Sequence, residues 1–242
     1  MYLEEINVKR KKQVLLLLLL LTLSGCAAGP SPAPEKEGGK VAVVTTIFPI
    51  YDWVRQIAGD RADVTLLLDS GVDLHSYQPT ADDIIRITSA DLFLYVGGES
   101  DAWVADALKG APNGSRTDIA LLEILGDKAK EEEVVDGMQP GDEGQGEEEE
   151  GPEYDEHVWL SLKNASFFCE RICDALCGAD PDGTETYQKN AQDYRAKIDG
   201  LETRYEEMAA GAARRTVLFA DRYPFRYLTD DLGLSYYAAF AG

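Results

Sequence analysis

The chain holds 242 residues, with 44 Asp+Glu against 23 Lys+Arg, a net charge of −21 and a pI near 4.4. A hydrophobic share of 45% excludes a disordered polyanion, and so acidic a surface excludes nucleic acid as a partner, because it repels the phosphate backbone. Thirteen of the acids, and no base, fall within residues 131–156, so more than half of the net charge sits in one short segment.

The N-terminus reads as a targeting segment. Lys9, Arg10, Lys11 and Lys12 precede an unbroken apolar run from Val14 to Leu21, which is too short to span a bilayer. Leu23-Ser24-Gly25-Cys26 resembles the bacterial lipobox, in which the cysteine is acylated and becomes the mature N-terminus. The expectation is a lipoprotein signal peptide over 1–25, lipidation at Cys26, and an extracytoplasmic protein held at the membrane by its lipid. Pro30, Pro32, Pro34, Gly38 and Gly39 make 26–40 a flexible tether.

Beyond the tether, short apolar runs alternate with helical patterns. Strands are expected at 41–47, 64–68 and 91–96. Helices are expected at 50–58, at 80–90 with a capping box from Thr80 to Asp83, and at 101–109. The stretch 127–156 has seven Gly or Pro and no period, which predicts a mobile loop. A helix follows at 164–177, then a longer one over 184–210 with Tyr187, Ala191, Tyr194, Ile198, Leu201, Tyr205 and Met208 on one stripe. Strand 215–220, helix 224–232 and strand 235–240 close the chain. This alternation predicts an α/β protein with parallel sheets flanked by helices. The expected organisation is an N-terminal lobe over 41–183, a linking helix over 184–213, and the start of a truncated second lobe over 214–242.

Cys169, Cys173 and Cys177 recur every four residues, so a helix sets them on one face with Cβ vectors poorly placed for a disulfide. Without histidine nearby they read as small core residues rather than a zinc stripe. The two histidines are more informative. His75 falls in a loop between a strand and a helix, and His157 directly follows the acidic stretch. In parallel sheets ligands gather at such loops, and convergent imidazoles suit a borderline cation.

Four segments carry a family resemblance: Thr45-Thr-Ile-Phe-Pro-Ile-Tyr51, Gly71-Val-Asp-Leu-His-Ser-Tyr-Gln-Pro-Thr80, Ala90-Asp-Leu-Phe-Leu-Tyr-Val-Gly97 and His157-Val-Trp-Leu160. They resemble, in order and behind a lipobox, the zinc/manganese-binding lipoproteins that serve ABC metal-uptake transporters. The resemblance implies two α/β lobes joined by one long rigid helix, with the metal in the cleft between them. It also implies capture without catalysis, by a monomer that delivers zinc, or alternatively manganese, to an ABC permease.

By position, His75 and His157 match two metal ligands of that family. The third lies in a pattern H-x-A-F-x-Y-L, where this chain has Arg222-Tyr-Pro-Phe-Arg-Tyr-Leu228. A guanidinium cannot coordinate a cation. The fourth ligand, an acid, is expected further along than residue 242. Asp221 is a candidate substitute, or else a partner for Arg222 or Arg226, and Asp73 is a candidate hydrogen-bond acceptor for an imidazole. The acidic stretch reads either as a weak cation collector beside His157 or as a solvated insertion without a role. Two other classes remain as alternatives. One is a surface adhesin, and the other a metallohydrolase, for which no H-E-x-x-H pattern is present.

Overall fold

The computed structural model describes residues 39–240 apart from 70, 73, 111 and 140–152. The signal segment, Cys26, the tether, Asp73 and the middle of the acidic stretch lie outside the described residues. Those described belong to one compact unit, Lys36–Gly242. Among them no helix is long and apolar enough to cross a membrane.

The valine-rich run forms β1 (Val41–Thr45), and Pro49 helps open α1 (Phe48–Ala58). Then come β2 (Ala62–Leu66), α2 (Ala81–Ser89), β3 (Leu92–Tyr95), α3 (Trp103–Gly110), β4 (Thr117–Ala120) and α4 (Leu121–Leu125). The four strands make one parallel sheet in the order β2-β1-β3-β4. Strand order reverses between β1 and β3. Right-handed crossovers therefore set α1 on one face of the sheet and α2 and α3 on the other. The Thr80 capping box forms as expected, with Thr80 accepting from the Asp83 N–H and Asp83 from the Thr80 N–H.

Two long helices complete the first layer, α5 (Leu162–Ala179) and α6 (Thr184–Ala210), which pack on each other and on α1. Phe168, Ile172 and Leu176 of α5 and Tyr187 of α6 are fully buried with Ile50, Val54 and Ile57 of α1 and Leu92–Leu94 of β3. Asn190 donates to the Ile57 carbonyl and the Tyr194 hydroxyl to Asp52, which fastens α6 along α1. At the start of α6, Asp180 accepts from Arg61 and from the Tyr187 hydroxyl around a closely packed Gly183. The expected stripe on α6 is buried only in part. Tyr187, Ala191 and Ile198 are covered, whereas Leu201 and Met208 are exposed, because the helix runs on past its neighbours.

The chain then enters a second, two-stranded parallel sheet of β5 (Thr216–Leu218) and β6 (Ser235–Tyr237), joined through α7 (Arg226–Asp231). Tyr223 stacks on Tyr236 with ring centroids 3.9 Å apart, and Tyr223, Met138 and Ala238 form a small buried cluster. Cys169 and Cys173 are buried and Cys177 half-buried, all as free thiols, in keeping with the core reading.

Two features differ from the sequence expectation. Strand β4 and helix α4 were not anticipated, and the described arms of the acidic stretch are hydrogen-bonded into the fold. Glu131 pairs with Tyr154, the Glu132 N–H donates to the Glu153 carbonyl, and the Asp155 N–H to the Lys130 carbonyl. Met138 is buried in the second sheet's cluster, and the Gln139 N–H donates to the Ala239 carbonyl. Backbone pairing and one apolar anchor thus fix the arms despite their charge.

Candidate metal site

His75 lies on a short helical turn, Leu74–Ser76, in the loop that follows β2. The Tyr77 hydroxyl donates to Asp83 at 2.9 Å, and its ring meets Trp103 edge-on at 5.5 Å, so the loop is fastened to α2 and α3. Burial, then the bond to Asp83, pushes the Tyr77 hydroxyl well above its ordinary range. His157 directly precedes the turn Val158–Leu160 that leads into α5, whose first turn is capped by Ser161. These segments bring the two imidazoles together with centroids 6.0 Å apart. His75 is exposed and His157 buried, with Trp159 packed at 5.2 Å from the latter. The pair sits at the carboxyl ends of the strands, beside the reversal between β1 and β3, where parallel sheets gather ligands.

Each ring is held through Nδ1. His157 Nδ1 lies 3.1 Å from Asp155 Oδ1, and a carboxylate only accepts, so Nδ1 carries the proton in this contact. The same oxygen accepts the His157 backbone N–H at 2.8 Å. Asp155 is buried, and its carbonyl accepts from the Tyr227 hydroxyl of α7 at 3.0 Å. That hydroxyl also accepts the Lys130 N–H. His75 Nδ1 lies 2.9 Å from the Ser100 hydroxyl, in the loop after β3. Ser100 donates its backbone N–H to Glu156 Oε1 at 2.8 Å.

The surroundings are strongly acidic. Burial, opposed by two backbone N–H bonds and reinforced by Glu156, raises the Asp101 carboxyl to about 6. Burial, with Glu153 and Asp155 nearby, also raises Glu132 to about 6. Among the described residues no group of three or more His, Cys, Asp or Glu is gathered to hold a metal. Two imidazoles and an acidic rim suit a divalent cation, with further donors still to be supplied.

The other expected site residues are not drawn in. Asp221 is exposed and accepts from the Arg222 backbone N–H, and no described contact joins it to either histidine. Nor does it pair with Arg226, whose guanidinium reaches Glu133 at 3.3 Å. Arg222 is exposed. Sequence reasoning overlooked Asp155 and Ser100. The D-x-H spacing could have flagged Asp155, whereas nothing local marks Ser100, which is 25 residues from His75.

Comparison with known proteins agrees with this architecture. Residues 43–242 match the family described as "Zinc-uptake complex component A periplasmic". The chain is 34% identical over 201 residues to the zinc-binding lipoprotein AdcA of Streptococcus pneumoniae, covering 81% of this chain and 38% of that protein. It is 33% identical over 202 residues to the high-affinity zinc uptake system protein ZnuA of Bacillus subtilis, covering 83% and 61% respectively. The crystal structure of the metal-dependent lipoprotein YcdH from Bacillus subtilis superposes with a TM-score of 0.69 at 31% identity, over 83% of this chain and 67% of that one. The chain thus spans less than two thirds of the length of these curated relatives. With residues 43–242 matched in sequence and its α/β sheet and long helix matched in structure, the chain belongs to the zinc-uptake component A family.

Proposed function

We propose that this protein captures a zinc ion outside the cytoplasm, anchored by a lipid at Cys26, and delivers it as a monomer to an ABC permease. His75 and His157 are the ligands this chain supplies. The observation that carries the reading is the pair of imidazoles 6.0 Å apart, each engaged at Nδ1 by a neighbouring side chain. In this reading Nε2 of each ring faces the cation, and the Nδ1 contacts orient the rings before it arrives. Imidazole nitrogen suits zinc better than manganese, which takes mainly oxygen ligands, and the relatives quoted above are named for zinc. The family is described by uptake and not by a reaction, so binding and release are the whole of the activity. Arg222 cannot serve as a further ligand. The linking helix over 184–213 would divide the N-terminal lobe from a second lobe that begins at 214.

Titration of the purified protein with zinc and manganese under chelator competition tests this. Binding of one zinc ion, in preference to manganese and lost in His75→Ala and His157→Ala, is the expected result. Zinc binding unaffected by both substitutions would sink the assignment.

A further inference from the structure

We infer that Ser100 and Glu156 form a positioning pair for His75, so that residues 155–156 orient both imidazoles at once. This rests on the reading of His75 as a zinc ligand. His75 is exposed on a loop, where a side chain loses rotamer freedom when it coordinates. The Ser100 hydroxyl gives its ring a fixed post. Ser100 is itself buried, in a turn that closes after β3. In that turn Asp101 Oδ2 accepts the N–H groups of Val96 and Gly97 at 2.8 and 3.0 Å. The Ala102 N–H donates to the Glu99 carbonyl. The hydroxyl therefore sits on a hydrogen-bonded backbone, whose Ser100 N–H is claimed by Glu156.

The seat of Glu156 is built for it. A Cβ on Gly98 would overlap the Glu156 carboxylate, and Gly98 has φ +82°, which side chains rarely adopt. Glycine there admits the acid to the turn. Glu156 is 7% exposed and its Oε2 has no hydrogen-bond partner among the described residues, a cost that its position must justify. Asp155 holds His157 directly, and Glu156 holds His75 through Ser100. A metal takes the Nε2 lone pair only when the proton resides on Nδ1, the tautomer in which Nδ1–H donates to Ser100 Oγ across the 2.9 Å contact.

The test uses the full chain, with zinc affinity by chelator competition, the His75 tautomer by long-range 1H–15N NMR in the metal-free protein, and its melting temperature. Ser100→Ala is expected to weaken zinc about 10–100-fold. It should also move His75 toward the Nε2–H tautomer without altering the melt. Ser100→Thr, which keeps the hydroxyl, restores both. Glu156→Ala reproduces the tautomer change with a smaller affinity loss, and it carries the test if Ser100→Ala fails to fold. An affinity within about twofold of the parent and an unmoved tautomer in these variants, with His75→Ala still abolishing binding, overturns the positioning role alone. A Ser100→Thr loss as large as that of Ser100→Ala also overturns it. His75→Ala that binds like the parent overturns the metal reading and this inference together.

Discussion

Asp155→Ala removes an acceptor that serves His157 twice. Its Oδ1 takes the backbone N–H at 2.8 Å and the ring Nδ1–H at 3.1 Å. Asp155 is 5% and His157 9% exposed, so water does not replace the lost bonds. Each buried donor left unpaired costs about 1–3 kcal/mol, and the two share one oxygen, which puts the destabilisation near about 2–4 kcal/mol. Zinc affinity should fall by a further about 10–100-fold, about 1.4–2.7 kcal/mol, because the ring loses both its orientation and the carboxylate that raises its basicity. Asp155→Asn separates the two effects. Its amide oxygen can accept both bonds, so melting changes little, while the lost charge still weakens zinc about tenfold. Thermal unfolding of the metal-free protein and chelator-competition titration measure these terms independently. If Asp155→Ala melts with the parent and binds zinc within about twofold of it, the orientation argument is wrong.

Three further outcomes are expected. Gly183→Ala would place a Cβ 2.5 Å from Arg61 Nε and Tyr187 Cε2 and 2.6 Å from Asp180 Oδ2; the overpacking should cost about 1–3 kcal/mol by urea unfolding. Tyr77→Phe keeps the ring on Trp103 but loses the bond to Asp83, and should lower unfolding free energy by about 1 kcal/mol in the same assay. Burial pushes the Cys169 thiol up to about 12. The folded chain therefore keeps a proton that the unfolded chain releases above about pH 8.5, and stability falls as pH rises through that window. Melting curves of Cys169→Ala across about pH 8 to about pH 11 should fall less steeply than those of the parent.

Period and punctuation made much of the fold legible. Thr80 and Asp83 announce a capping box that forms with both bonds, and the helix over 184–210 encloses the apolar stripe from Tyr187 to Met208. That stripe marks a face of the helix but not how far its neighbours extend, which is why Met208 is bare and Tyr187 enclosed. Strand β4 escaped notice because its four residues, Thr117-Asp-Ile-Ala120, neither alternate nor form an apolar run. Both histidines could be read from their places beside strand and loop ends. The groups that hold them could not, because Ser100 in a Gly-Gly-Glu-Ser-Asp segment looks like an ordinary turn until tertiary packing sets it against His75.

The Tyr227 hydroxyl has a mechanical consequence. It bonds the Asp155 carbonyl and the Lys130 N–H from a helix that belongs to the second sheet. A displacement of that sheet against the first must either break this bond or drag the Asp155 backbone with it, and the Asp155 carboxylate is what fixes the His157 ring. In the proposed reading, grip on the cation is therefore coupled to the placement of α7, through Tyr227 and alongside the bonds of Asp230 to Lys130 and of Asp231 to Ser161.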